Sequence, residues 1–296
     1  MRIGLNIVRQ QEVTMPRWAI ISLATTIALP VALWLAQLFQ ARSVTTAVAG
    51  LEARAQQKLM QPPAPQSLEG LPPPVLRYLN HALPPELRGL KLARYEQAGT
   101  LRTDPRNDHW MKFTASQVIG PRTTEFLWTA RAYIAPLLHV QVRDSFVGGR
   151  GAGQVALLSA IPVASAGGSM EMNSGALHRF LAEAVWYPSA LLPSPQLTWT
   201  PLDDTRALAT LTTDAASVSI EFRFNSENEV TGIYTPGRWG SFDGTYKQVA
   251  WEGKFRSYTR RQGVLVPGEG EVGWYSDGQW QSVWRGTVVA ASMEFQ

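Results

Sequence analysis

A chain of 296 residues, 45% hydrophobic and 17% charged, has the composition of a folded protein and the length for one large core or two modest ones. Its formal charge of +4 resides mostly near the N-terminus, where Arg2, Arg9, Arg17 and Arg42 are opposed only by Glu12; from Ser43 onward 23 basic side chains meet 22 acidic ones. A nucleic-acid binder needs a basic face to replace phosphate counterions, so this near-neutral body argues against that class, and the absence of cysteine excludes thiol nucleophiles, disulfides, thiolate zinc and a lipidated cysteine anchor.

The first predicted element is "WAIISLATTIALPVALWLAQLF", Trp18 to Phe39, 22 residues without a charge. As a helix it would be about 33 Å long, enough for a hydrocarbon core of roughly 30 Å, and Pro30 is tolerated in such a setting. The rival reading is a cleaved signal peptide, with "AVAG" at Ala47 to Gly50 as the A-x-A site. A signal h-region is only about 7 to 15 residues long, so the expectation is an uncleaved signal anchor spanning 18–39. Arg2, Arg9 and Arg17 on the short side place residues 1–17 in the cytoplasm and the rest outside, in a single-pass protein of the plasma or inner membrane.

Residues 40–70 read as helix followed by spacer. Ala47 to Met60 has helix-forming composition, whereas "QPPAPQSLEGLPPP", Gln61 to Pro74, carries six prolines and suits neither a helix interior nor a central strand. A domain over 71–296 follows. It opens with "PVLRYLNHAL", where Val75, Leu76, Leu79 and Leu83 recur at helical spacing before Pro84 stops the helix.

From about Ala93 the period changes from 3.6 to 2. Met111, Phe113 and Ala115 share a face, as do Phe126, Trp128 and Ala130, and Val249, Trp251 and Phe255. The clearest case is "VSIEFRF", with Val218, Ile220, Phe222 and Phe224 opposed to Ser219, Glu221 and Arg223. Turn signals "DPRND", "GGRG", "NSEN", "RRQG" and "SDGQ" separate roughly ten to twelve such runs. The fold class is therefore mainly β with a few helices: a large curved antiparallel sheet or half-barrel covering helices, with a closed lipocalin-like barrel as the other possibility.

One long helix interrupts the strands, at about Ser174 to Val185 within "GALHRFLAEAVWYPSALLP". Leu177, Phe180, Leu181, Ala184 and Val185 form a core-facing stripe, and Arg179, Glu183 and Trp186 form another. The second stripe is either a solvent-side ion pair with a covering tryptophan, or the polar lining of the hollow, where Arg179 would fix an acidic head group and Glu183 would hold the guanidinium. Asp144, which ends an apolar-alternating strand beside "FVGG", either caps a turn or stands at a cavity mouth.

Other constellations are weaker. "GAGQVA", Gly151 to Ala156, matches G-x-G-x-x-A with Glu171 20 residues on, but it lacks the strand-then-helix context of a dinucleotide site and reads as a hairpin turn with glycines at positive φ. His81, His109, His139 and His178 have no metal-ligand spacing, and Asp203 and Asp204 read as turn residues, so no metal or cofactor is expected. No G-x-S-x-G elbow is present. Of the 11 tryptophans, those in strands, including Trp128, Trp251 and Trp284, should fill the core or line a roomy hollow.

The runs "WMKFTASQ", "FLWTA", "DSFVGGRGAG", "GALHRFLAEAVWYPSALL", "WEGKF", "GVLVPGEGEVGW" and "WRGTV", from Leu71 to Val289, together resemble an uncharacterised family of membrane-anchored prokaryotic proteins catalogued only as a domain of unknown function. In overall design the chain is also similar to the antiparallel half-barrels of bacterial lipoprotein carriers and related lipid-binding proteins. The resemblance implies no catalytic residues. The expected function is a membrane-tethered, extracytoplasmic binding or carrier module for an apolar or amphiphilic, lipid-like ligand. Its candidate site residues are Arg179, Glu183, Trp186, Asp144, Trp128, Trp251 and Trp284. The alternatives are an envelope hydrolase using the carboxylates Asp144 and Glu183, or a structural, partner-binding domain with a filled core.

Overall fold

The computed structural model describes residues 17–59, 68–104 and 108–296 and, within the first stretch, the side chains of Thr26 and of 28–58. Thirteen strands form one antiparallel sheet built as two meanders. The first contains β1 (Leu90–Leu101), β2 (Met111–Gly120), β3 (Glu125–Ala135), β4 (Leu138–Val147), β5 (Arg150–Leu157) and β6 (Ile161–Gly167). The second contains β7 (Leu197–Asp203), β8 (Arg206–Thr212), β9 (Ser217–Phe224), β10 (Val230–Phe242), β11 (Thr245–Arg261), β12 (Val264–Ser276) and β13 (Gln279–Phe295). Pairing of β1 with β13 fuses them, which leaves β6 and β7 as the two edges. Those edges do not pair with each other, so the sheet is a half-barrel and not the closed barrel. Short turns with left-handed residues, such as Gly148–Gly149, Gln262–Gly263 and Asp277–Gly278, close the hairpins where turn chemistry predicted them.

Three α-helices complete the described residues: α1 (Arg17–Leu59), α2 (Pro73–Ala82) and α3 (Met170–Glu183). Ser169 caps α3 by accepting a hydrogen bond from the Met172 amide at 3.2 Å, and Glu171 lies in its first turn, where the helix dipole favours an acid. Pro188 follows the helix and opens the second of two short 3₁₀ turns. Because α3 connects β6 to β7, it must cross the hollow from one edge to the other. Glycines permit that passage: a Cβ on Gly151 of β5 would lie 2.3 Å from the Met172 carbonyl oxygen, and one on Gly175 of α3 would lie 2.9 Å from that of Trp239 in β10.

The core occupies the concave face. Leu177, Phe180, Leu181, Ala184 and Val185 meet the inward rows Val218–Ile220–Phe222–Phe224 and Phe113–Ala115, all buried. Each Ile or Phe fully removed from water here contributes about 1.5–3 kcal/mol. Helix α2 closes one side with Val75, Tyr78, Leu79 and Ala82; Tyr78 takes the place expected of Leu76, which is half-buried.

On the convex face, Leu51 and Ala55 of α1 pack against Leu92, Val118 and Leu127 of β1–β3. Arg54 pairs with Glu125 at 2.9 Å, and Arg94 pairs with Glu52 at 2.6 Å and with Glu294. At the other end of this contact, the Gln37 side-chain amide donates to the Leu158 carbonyl at 2.9 Å. The helical part of the expected spacer thus lies against the sheet instead of standing off it. Among the described residues no helix is long and apolar enough to cross a membrane. Much of the predicted span Trp18–Phe39 falls on residues 17–25 and 27, whose side chains lie outside the described residues, as do the tail 1–16 and the proline run 61–67.

Candidate ligand-binding site

Register places one inward row across the first meander: Tyr95 beside Gln117, Gln117 beside Trp128, Trp128 beside Asp144, and Asp144 beside Gly153. Helix α3 lowers Arg179 and Glu183 onto this row. Arg179 donates from Nε to Glu183 at 2.7 Å and from NH1 to Asp144 at 2.8 Å, and its guanidinium lies 4.7 Å above the Trp128 ring and 5.2 Å above that of Phe126. Burial weakens its hold on the proton, but Glu183 and Asp144 outweigh that effect and the net shift is upward. Side-chain exposure falls from 41% at Asp144 to 16% at Arg179 and Glu183, so the cluster is open on the Asp144 side.

A second chain of bonds secures Glu183 from the strands. Gln117 donates to its other oxygen at 2.6 Å, Gln97 donates to Gln117 at 3.1 Å, and the Trp128 indole N–H donates to Gln97 at 2.8 Å. Gln97 and Gln117 are buried, and this relay satisfies them. Both carboxylates of the expected hydrolase pair therefore accept from one guanidinium, and both oxygens of Glu183 are engaged by donors of the fold.

The opposite wall supplies a second guanidinium. Arg238 of β10 donates from Nε and NH2 to the Gly175 carbonyl at 3.2 and 3.1 Å, and lies 4.5 Å above the Trp251 ring and 5.1 Å above that of Trp274. Unlike Arg179, it has no carboxylate within ion-pair distance among the described residues. Burial, with Arg179 as the nearby like charge, lowers its pKa to about 10 despite Asp144 and Glu183. Burial first, and then the charge of Arg238, push His178 down to about 4; its ring Nδ1 contacts the Ser174 carbonyl at 3.0 Å.

Above this polar layer the wall is apolar and only partly covered. Leu101, Val140, Val142, Val272, Trp274 and Trp284 pack on the core while remaining half-buried. Trp284 stacks on Phe113 with centroids 5.7 Å apart. Below the layer the hollow is filled: Trp186 is buried edge-on against Phe255 at 5.4 Å and donates to the Pro267 carbonyl at 2.9 Å, and its own carbonyl accepts from Tyr95. A separate cleft of about 380 Å³ lies on the convex face between α1 and β3–β6, lined by Gly50, Arg54, Arg143, Ser145 and Gln154 among others.

Of the predicted residues, Asp144, Arg179, Glu183 and Trp128 meet in one cluster, and Trp251 lies on the facing wall beneath Arg238. The second stripe of α3 faces the hollow, not solvent, because strands flank the helix on both sides. Trp186 departs from that stripe to become core, and Trp284 joins it to the apolar wall, the two rings being 6.4 Å apart. Asp203 caps a distant turn by accepting from the Thr205 amide at 2.9 Å. Gly151 and Gly153 lie within β5 and not in a turn; the positive φ angles belong to Gly148 and Gly149.

Gln97, Gln117 and Arg238 were missed. The glutamines were visible as polar residues at inward positions of alternating strands, Gln117 in the register of Met111, Phe113 and Ala115. Arg238 was hidden by a bulge between Thr235 and itself, which inserts a residue and turns it inward.

No curated protein matches the chain. Among solved structures it is similar to a domain described as an outer membrane lipoprotein-sorting protein domain from Vibrio parahaemolyticus, at 6% identity and a TM-score of 0.40, covering 75% of this chain and 91% of that one. It is also similar to a LolA superfamily protein from Nitrosomonas europaea, at 9% identity and a TM-score of 0.37, covering 75% and 92%. A family model described as a family of unknown function (DUF6544) matches residues 61–286, and the chain belongs to that family.

Proposed function

We propose that the half-barrel is a binding or carrier module for an amphiphile with an apolar chain and an anionic head group, tethered by its N-terminal helix and facing outward from the plasma or inner membrane. The observation that carries this reading is the asymmetry between the two guanidiniums. Arg179 is neutralised by Asp144 and Glu183, whereas Arg238 rests on two indole faces and a carbonyl. A desolvated cation without a counter-charge is costly, and an incoming anion recovers that cost through charge-assisted hydrogen bonds. The half-buried wall of Val140, Val142, Val272, Trp274 and Trp284 beside it suits an acyl chain. The tether rests on the uncharged run from Trp18 to Phe39, and the orientation on Arg2, Arg9 and Arg17.

Native mass spectrometry of the full chain, extracted from membranes in mild detergent, tests the reading. A stoichiometric amphiphile that releases on denaturation and extracts as an anionic lipid is expected. An apo mass that persists after incubation with envelope lipids would favour a filled, structural domain.

A further inference from the structure

The end of the sheet where the β3–β4 and β5–β6 hairpins turn carries an apolar rim. Leu137 is 93% exposed at the first tip, flanked by exposed Tyr133, Ile134 and Leu138, and Ile161 and Val163 are exposed beside the second. The tips are fastened to each other by the Leu158 amide donating to the His139 carbonyl at 2.9 Å and by His139 against Ser159 at 2.9 Å. Leu158 and Ser159 hold left-handed φ angles of 53° and 55°, an uncommon conformation for a bulky side chain and one that the cross-hairpin contacts must hold in place.

Helix α1 leaves the domain at this same end. From Arg54 beside Glu125 it runs along the outer face to Gln37 beside Leu158, so its first 20 residues extend about 30 Å past the tips. Leu29, Trp34 and Leu35 of that projecting part are exposed, as is Phe39 just after Gln37.

From the shared direction of the apolar helix and the apolar tips, we infer that this rim rests in the head-group region of a lipid bilayer. The half-buried apolar wall then opens toward the surface from which a ligand is drawn. The inference rests on the tethered-carrier reading and adds the docking face. Six apolar side chains on two rigid hairpins match the apolar face of an interfacial contact about 5–10 Å deep.

The absence of cysteine allows a direct test in the full chain. Single variants Leu137→Cys, Ile161→Cys and Ser226→Cys, the last in the β9–β10 turn at the opposite end of the strands, are labelled with nitrobenzoxadiazole. They are then reconstituted into phosphatidylcholine vesicles and quenched by lipids brominated on the acyl chain. The labels at 137 and 161 should be quenched about threefold and the label at 226 should not. Unquenched labels at 137 and 161 in chain that co-floats with vesicles would overturn the docking face. Oleate binding in the same samples separates the two claims. Binding with an unquenched rim defeats the docking face alone, and a quenched rim without binding defeats the carrier reading alone.

Discussion

The two halves of the concave face use the same alternating strands and serve different ends. In the lower half, Trp186, Tyr187, Phe180 and Leu181 of the α3 segment fill the space against Phe255, Val266 and Tyr95, and Tyr95, Trp186 and Tyr187 each spend their polar group on a backbone carbonyl. In the upper half, the inward row changes to Asp144, Gln117, Gln97 and Arg238, and above it Val140, Val142, Val272, Trp274 and Trp284 are only half covered. Hydrophobic side chains of similar volume would have made the upper layer more stable, since buried ion pairs seldom repay their desolvation. A polar layer placed where it lowers stability, beside uncovered apolar surface, is what distinguishes a binding wall from a core wall.

The strongest way to break this contrast is Trp186→Ala in the lower half. It should cost about 3–5 kcal/mol in denaturant unfolding, since it removes a large buried side chain and orphans the Pro267 carbonyl. A loss below about 1 kcal/mol would place Trp186 outside the core. Next comes His178. Its folded-state pKa of about 4 lies below the ordinary value of 6.5, so on acidification the unfolded chain takes the proton first. The stabilisation is complete above pH 6.5 and disappears as the pH falls toward 4, about 3 kcal/mol in all. His178→Gln should remove that part of the pH dependence of the melting temperature, and a slope left intact would assign it to other groups.

In the upper half, Arg179→Met leaves Asp144 and Glu183 without their shared cation. The expected loss is about 2–3 kcal/mol, below the value for a fully buried pair because Asp144 is 41% exposed. The double variant with Glu183→Gln should recover part of it. Arg238→Met should change stability least, within about 1 kcal/mol, because it exchanges a half-buried cation without a carboxylate partner for an apolar chain of similar length. A large loss there would make Arg238 a structural residue.

Local alternation made the strands legible: Val218 to Phe224 fall inward as their spacing requires, and the α3 core stripe is correct residue by residue. What local pattern does not encode is pairing between distant segments. The β1–β13 seam, which turns two meanders into one sheet of thirteen strands where ten to twelve were expected, has no signature in either strand. Edge strand β6, "IPVASAG", is exposed along its whole length and so never acquired a two-residue period. The candidate site was half legible for the same reason. Arg179, Glu183 and Asp144 stood out as charges in apolar contexts, but only the crossing of α3 through the hollow determines that both helix stripes face inward. Arg238 depends on a bulge that strict alternation reads past.

The measurement that tests the central claim most directly is a calorimetric titration of the full chain and of Arg238→Met with oleate, with monoolein as the uncharged comparison. If Arg238 receives the anionic head, the variant should bind oleate about 10- to 100-fold more weakly, the loss of one charge-assisted contact, with monoolein unaffected and melting temperature unchanged. Equal oleate affinity in the two proteins would contradict the account and return the upper half of the hollow to the status of an incompletely filled core.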